Sequence, residues 1–109
     1  MLYTSTIRYR GELRSLDITV KSAGSFGKHF APTWAMVMGY KKTGDSVLYR
    51  EQYRDILEHN YVHVKHLADV ARSEDIVLKC YCKAGDFCHR VILALYVQDI
   101  FKIEYGGEV

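Results

Sequence analysis

The chain has 109 residues, of which 49% are hydrophobic, 13% aromatic and 26% charged, and its formal net charge is +2. These values exclude a disordered chain and predict one soluble globular domain over residues 1–109. The basic residues are scattered rather than gathered into a stripe, so the sequence predicts no nucleic-acid partner.

The N-terminal sequence and the cysteine pattern predict a cytoplasmic protein. MLYTSTIRYR lacks the apolar stretch of a signal peptide, and the longest apolar run, Val91–Val97, is far too short to span a membrane. The three cysteines lie within nine residues, at positions 80, 82 and 88. An odd number of cysteines so close together in the sequence is a poor disulfide framework. We therefore expect reduced thiols in a reducing compartment and no membrane partner.

The first half of the chain predicts two strands and two helices. LYTSTI at 2–7 is rich in strand-forming residues, and LDITV at 16–20 alternates apolar and polar positions. The glycine- and serine-containing segment at 21–29 is predicted to be a flexible loop. Pro32 fits the first turn of a short helix ending near Gly39, and Asp45 fits the N-cap of a longer helix.

The second half adds a helix, a buried strand and a last helix. The helix is predicted at about 61–71, and the nearly continuous apolar run at 76–81 is typical of a strand buried on both faces. Asp86 is predicted to cap a helix over 87–101, and 105–107 is predicted to be a frayed tail. Strands alternating with helices predict a small α/β domain, with a mainly parallel central sheet flanked by helices.

Ligands of parallel sheets bind beyond the carboxyl ends of the strands. If Asp86 begins the last helix, the next residues present backbone N–H groups and the positive end of the helix dipole to an anion. Arg90 adds a guanidinium fork suited to phosphate or carboxylate. The residues predicted to bind the ligand are Ser5, Arg8, Lys21, Ser22, Cys82, Asp86, Cys88, His89 and Arg90.

The same turn also allows a catalytic interpretation. A helix start lowers the pKa of a thiol, so Cys88 is the predicted nucleophile and His89 its base. Simpler roles stay open for several side chains. Cys80 fits a core position, His89 fits a hydrogen bond to a backbone carbonyl, and Arg90 fits a structural ion pair. The acceptors considered for that ion pair are Asp17, Asp86 and Asp99.

Two familiar chemistries do not match the spacing. The pattern C-x-C-x5-C-H, formed by Cys80, Cys82, Cys88 and His89, is not that of a zinc finger or ribbon, so no metal ligand is predicted. A phosphatase loop needs arginine six residues after its cysteine, where this chain has Cys88 or Asp86. A phosphate loop of the GK[ST] type is also absent from the sequence. We therefore predict no cofactor.

The segment LKCYCKAGDFCHRVIL resembles the signature of the family labelled domain of unknown function 488 (DUF488). Cys80, Cys88, His89 and Arg90 match its positions, whereas Cys82 stands where many members have glutamate. LYTSTI, LDITVKSAG and FAPTWAMVMGY are similar to a short branch found in phages and bacteria. The resemblance implies a compact α/β fold with a site at the strand–helix junction, in a bacterium or a phage-infected host. It supplies no reaction, and the cysteine at 82 puts an acid–base role at that position in doubt.

Three functions remain open from the sequence. The first is a binding domain for an anionic, phosphate-bearing or nucleotide-like ligand around Cys82–Arg90. The 21–29 loop would close over this ligand. In a phage, such a domain would serve to sequester a host nucleotide. The second is a Cys/His-dependent enzyme acting on such a ligand. The third is an interaction or inhibitor protein that binds a host protein through apolar helices and tyrosines. The sequence also leaves a homo-oligomer open.

Overall fold

The structure is a computed structural model that describes residues 1–83 and 87–109. Within these residues it contains four strands, four α-helices and one short 3-10 helix. The strands are β1 (Leu2–Thr6), β2 (Arg14–Asp17), β3 (Ile76–Cys80) and β4 (Tyr105–Glu108). The α-helices are α1 (Trp34–Thr43), α2 (Ser46–His59), α3 (Tyr61–Ser73) and α4 (His89–Phe101), and the 3-10 helix is Gly27–Phe30.

The four strands form one sheet in the order β2-β3-β1-β4, and every neighbouring pair is parallel. β3 lies at the centre, and Ile76, Val77 and Leu78 are buried, as its continuous apolar sequence predicts. The core also takes apolar residues from all four α-helices. The predicted α/β fold with a parallel central sheet is therefore confirmed.

The C-terminal segment differs most from the prediction. Residues 105–107 were expected to fray, and this is wrong because they belong to β4, which pairs with β1. The Tyr105 hydroxyl lies 2.6 Å from Thr4 Oγ1, and Ser5 Oγ donates to the carbonyl of Val109 at 2.7 Å. This strand could not be predicted from residue propensities, because its two glycines disfavour strand structure unless tertiary pairing compensates.

β2 and the loop after it also shift from the predicted positions. β2 ends at Asp17 rather than at residue 20, and the Asp17 carboxylate turns the chain by accepting from the Thr19 N–H at 2.9 Å. The predicted loop at 21–29 ends in the 3-10 helix, whose Phe30 is buried. Gly27 is required there, because a Cβ would collide with the carbonyl oxygen of Asp17. Part of the expected flexible loop is thus packed against the sheet.

The first two helices show how local sequence sets helix ends. α1 runs past Gly39 and ends at Gly44, whose left-handed φ of 70° suits glycine. The predicted end at residue 39 is therefore wrong. Asp45 caps α2 as predicted, because its carboxylate accepts from the Leu48 N–H at 3.0 Å.

The parallel arrangement brings the carboxyl ends of all four strands to one edge of the sheet. Thr6, Asp17, Cys80 and Glu108 are the last residues of β1, β2, β3 and β4. This edge, which precedes the start of α4, is where a parallel sheet binds its ligands. No helix in the described part of the chain has both the length and the apolar character needed to cross a membrane.

We predict that Tyr53→Phe lowers the free energy of unfolding by about 1–2 kcal/mol. The buried Tyr53 hydroxyl donates to the carbonyl of Phe30 at 2.6 Å and so ties α2 to the 3-10 helix. Removing it leaves that carbonyl without its partner. Tyr49→Phe, one turn earlier, is the matched control and should cost less than about 0.5 kcal/mol. Urea denaturation measures both, and equal effects would contradict the role of this hydrogen bond.

Candidate functional site

The three cysteine side chains meet at the carboxyl edge of the sheet. Their sulfur atoms all lie within 4.8 Å of one another, and the Sγ atoms of Cys80 and Cys88 are 2.7 Å apart. Cys80 and Cys88 are buried, Cys82 is half-buried, and all three are free thiols. We call Cys80, Cys82 and Cys88 the cysteine cluster.

The backbone at the start of α4 explains how the cluster forms. The helix begins at His89 with Cys88 as its N-cap, so the predicted start at Phe87 is wrong. Cys88 has the extended angles φ −155° and ψ 150°, and its side chain therefore does not follow the helical repeat of its neighbour. The predicted capping role of Asp86 lies outside the described residues.

The acidity of the thiols differs from the expectation for Cys88. The pKa of Cys80 is lowered because Cys82 and Cys88 donate hydrogen bonds to its sulfur, and the Arg90 guanidinium favours its anion further. The pKa of Cys88 is raised, since it serves as a donor to Cys80 and is buried. These directions favour a thiolate at Cys80 over one at Cys88, and the nucleophilic role of Cys88 stays a prediction.

His89 is a buried, neutral side chain, and the contacts of its two ring nitrogens show which one carries the proton. Nε2 lies 2.7 Å from the carbonyl oxygen of Ile18, which can only accept, so Nε2 carries the proton and donates. Nδ1 is then an acceptor and lies 3.5 Å from the Sγ of Cys88. Burial lowers the pKa of His89 and favours the neutral ring. The simpler alternative, a hydrogen bond to a backbone carbonyl, is confirmed.

Arg90 is 1% exposed, and protein acceptors surround its guanidinium group. Nε and Nη2 donate to the two carboxylate oxygens of Glu108 at 3.2 and 2.7 Å. Nη1 donates to Cys80 Sγ at 3.0 Å and to the Cys82 carbonyl at 2.9 Å, and Nη2 also donates to the Lys83 carbonyl at 3.2 Å. A guanidinium has five N–H donors, so each has an acceptor within the protein.

These contacts make Arg90 the side chain that positions the cysteine cluster. The structural ion pair considered for Arg90 exists, but its partner is Glu108 rather than Asp17 or Asp99. Sequence analysis missed Glu108 because it belongs to the segment expected to fray. The only signal was an acidic residue after a tyrosine and two glycines, which is too weak to place a strand.

A cavity of about 600 Å³ opens beside the cysteine cluster. The cluster and His89 line one side. Aromatic side chains line much of the rest: Trp34, Tyr40, Tyr49, Tyr81 and Phe87. Lysines from three separate segments also line it: Lys21, Lys41 and Lys83. The cavity therefore combines flat apolar surfaces with positive charge at the carboxyl edge of the sheet.

The structure describes eight of the nine predicted ligand-binding residues, since Asp86 lies outside the described residues. Lys21, Cys82, Cys88 and His89 all line this cavity. Ser22 lies beside it, since its hydroxyl accepts from the Tyr81 hydroxyl at 2.9 Å and bonds to Asp17.

Three other predicted residues lie elsewhere. Ser5 is buried under the Val109 carbonyl, Arg8 is exposed, and neither lines the cavity formed by the described residues. Arg90 lines a second, neighbouring cavity between α2 and α4 instead. The contact of any of these residues with a ligand stays a prediction.

We predict that Glu108→Gln lowers the free energy of unfolding at pH 7 by about 1–2 kcal/mol, since it removes the charged partner of a buried guanidinium. Burial acts to raise the pKa of Glu108, but hydrogen bonds from Arg90 and Thr4 prevail and lower it. The stabilisation is thus complete above the unfolded value of about 4.3 and is lost as the pH falls through the folded value. The variant should lose less stability on acidification than the wild type does.

Glu104→Gln is the control for this pH dependence, because Glu104 is an exposed carboxylate next to β4. Thermal unfolding at several pH values between about 3 and 7 measures both variants. A wild-type pH profile retained in Glu108→Gln would contradict the stabilising role of the ion pair.

Comparison with known proteins identifies the family of the chain. The family model DUF488-N3a, described as the active DUF488-N3 subclade, matches residues 4–100. No curated protein and no solved structure matches the chain. The matched range begins within β1, contains the cavity walls, the cysteine cluster, His89 and Arg90, and ends before β4. Because the match covers most of the sequence, the chain belongs to the DUF488 family, in its N3a subclade.

Proposed function

We propose that this protein is a small-molecule binding domain for an anionic, nucleotide-like ligand. The observation that carries the proposal is the cavity at the carboxyl edge of the sheet, which joins aromatic walls to three lysines beside the Cys-His-Arg signature. Its volume of about 600 Å³ lies within the range that small-molecule sites occupy.

The aromatic wall supports a ligand with a flat ring. Trp34 and Tyr81 are 56% and 52% exposed, so their faces are open to the cavity and the solvent. Tyr40 and Phe87 pack together with their ring centroids 4.8 Å apart and close another part of the wall. Stacking of a base on an aromatic side chain contributes about 1–3 kcal/mol in nucleic-acid complexes. Such surfaces suit a nucleobase better than a purely aliphatic anion.

The charges around the cavity support a phosphate group. Lys21 follows β2, Lys41 belongs to α1, and Lys83 follows β3. None of the described residues that line the cavity is acidic, so their combined field is positive. The lysines thereby take the anion-binding role that the sequence assigned to Arg90, whose donors already bind protein acceptors.

Trp34 provides a direct test, because it is the only tryptophan in the chain and lies in the cavity wall. We predict that adenosine or uridine monophosphate quenches its fluorescence with a saturating curve. The uncharged nucleosides should bind about tenfold more weakly, equivalent to about 1.4 kcal/mol for the lost phosphate contacts. Added salt should reduce the difference, since exposed lysines are screened.

Two lysine variants distinguish binding in the cavity from attraction to the overall positive charge of the protein. Lys41→Gln should weaken monophosphate binding several-fold, whereas Lys65→Gln, which removes an exposed lysine outside the cavity, should leave it unchanged. Equal effects of the two variants would show non-specific attraction. If neither monophosphate quenches Trp34 in the folded protein, the binding proposal fails and the interaction hypothesis gains.

A second candidate is a thiol-dependent enzyme acting on the same ligand. Two observations favour it: the cysteine cluster lines the cavity, and the matched subclade is described as active. His89 Nδ1 is an acceptor facing Cys88 Sγ, as a base beside a nucleophile requires. We predict that such an enzyme converts a bound monophosphate to a product visible by mass spectrometry, and that Cys88→Ser abolishes conversion while retaining binding. Conversion that survives in Cys88→Ser would exclude this thiol.

A further inference from the structure

We propose that Cys80, Cys82 and Cys88 form a binding site for a thiophilic divalent ion, Zn²⁺ being the natural example, with one coordination position open to the cavity. Thiolates are the soft ligands that such ions prefer. Three side chains that converge from two segments are a donor set rather than a lone cysteine. This inference concerns the metal alone and does not depend on the identity of the organic ligand.

The distances support a shared ion. Zinc–sulfur bonds of about 2.3 Å place the sulfurs of a tetrahedral site roughly 3.8 Å apart. All the sulfur–sulfur distances in the cluster are within 4.8 Å, close enough for the three atoms to share one ion. Cys80 and Cys88, whose Sγ atoms are now 2.7 Å apart, would separate by about 1 Å. A small rotation of one side chain about its Cα–Cβ bond supplies this movement.

The backbone at Cys88 explains how the three cysteines converge without His89. Cys88 is an extended N-cap outside the helix, so its side chain and that of His89 point in different directions. Its sulfur therefore joins Cys80 and Cys82 while His89 turns toward Ile18. The pattern C-x-C-x5-C thus supplies three ligands, although it is not the spacing of a zinc finger.

The surroundings of the cluster resemble the outer layer of a metal site. Arg90 donates to Cys80 Sγ at 3.0 Å and to the Cys82 carbonyl at 2.9 Å, and thus orients two of the three ligands. Three thiolates and a divalent ion carry a net charge of −1, which the adjacent guanidinium offsets. Each cysteine that is still protonated releases its proton to the buffer when it binds the ion.

The free coordination position of the ion would face the cavity. The three cysteines supply one ligand each, and all of them line the cavity. Sites with three protein ligands and one free position are those in which the metal contacts water or substrate. The ion would thus present a Lewis acid to the cavity beside the lysines.

Cobalt(II) titration of the reduced wild-type protein tests the proposal. We expect one Co²⁺ per chain, a thiolate-to-cobalt charge-transfer band in the near ultraviolet, and the intense visible absorption of a tetrahedral ion. Zn²⁺ should displace the Co²⁺ and remove both features. X-ray absorption of the zinc-loaded protein should show three sulfur neighbours at about 2.3 Å. Absence of the charge-transfer band in the reduced protein would overturn the proposal.

Two variants locate the ion. Cys82→Ser, at the half-buried position, should weaken Co²⁺ binding at least ~10-fold, which is the lower bound for loss of even an outer partner. His63→Gln is the control, because the rings of His29 and His63 stack with centroids 3.5 Å apart and offer a competing histidine site away from the cavity. A spectrum unchanged in Cys82→Ser, or lost in His63→Gln, would refute the cysteine site. The wild-type spectra decide the matter even if Cys82→Ser does not fold.

Discussion

The buried guanidinium of Arg90 is the interaction on which the functional edge of this protein depends. A positive charge that is 1% exposed is stable only when its donors are satisfied, because an unpaired buried charge costs several kcal/mol. Arg90 meets this requirement with acceptors from three parts of the chain. They are the Sγ of Cys80, the carbonyls that follow β3, and the carboxylate of Glu108 in β4. One side chain from α4 therefore joins the central strand, the turn after it and the edge strand.

This arrangement separates two roles that a basic residue in a signature motif can have. An arginine that binds ligand keeps donors free toward a cavity, whereas Arg90 directs all of its donors into the protein. The positive charge at the cavity comes instead from Lys21, Lys41 and Lys83, which are exposed and line it. The residues of the Cys-His-Arg signature thus have different roles. The thiols lie at the cavity, whereas His89 and Arg90 bind the surrounding backbone. His89 donates to the carbonyl of Ile18, and Arg90 donates to a carbonyl in the segment after β3.

The sequence predicts those parts of the fold that depend on local patterns. The apolar run of β3, the cap at Asp45 and the alternation of strands and helices are visible in single segments, and the structure confirms them. The cysteines of the signature lie together at the carboxyl edge of the sheet, where the site was predicted. β4 was missed because its two glycines carry no strand preference, and its stability comes from pairing with β1.

The cysteine cluster could not be derived from spacing. Whether Cys80, Cys82 and Cys88 converge depends on the backbone angles of one residue, the extended N-cap at Cys88. A helix starting two residues earlier would have turned Cys88 away from β3. The acidity of the thiols follows from the same detail, because Cys80 is the acceptor of hydrogen bonds from the other two. Spacing alone does not show such a change of backbone at a helix cap, so the convergence of the three thiols is visible only in the fold.

The pairing of β4 with β1 also has a consequence for the order of folding. Thr4 and Tyr105, whose hydroxyls lie 2.6 Å apart, are separated by 101 residues, and contacts between such distant segments form slowly because a long loop must close first. Arg90 and Glu108 are only 18 residues apart, but the pairing of Glu108 with Thr4 fixes this partner in place when β4 docks on β1. The thiols at positions 80, 82 and 88 therefore acquire their final environment late, and a nascent chain exposes them to oxidants for as long as the edge strand is undocked.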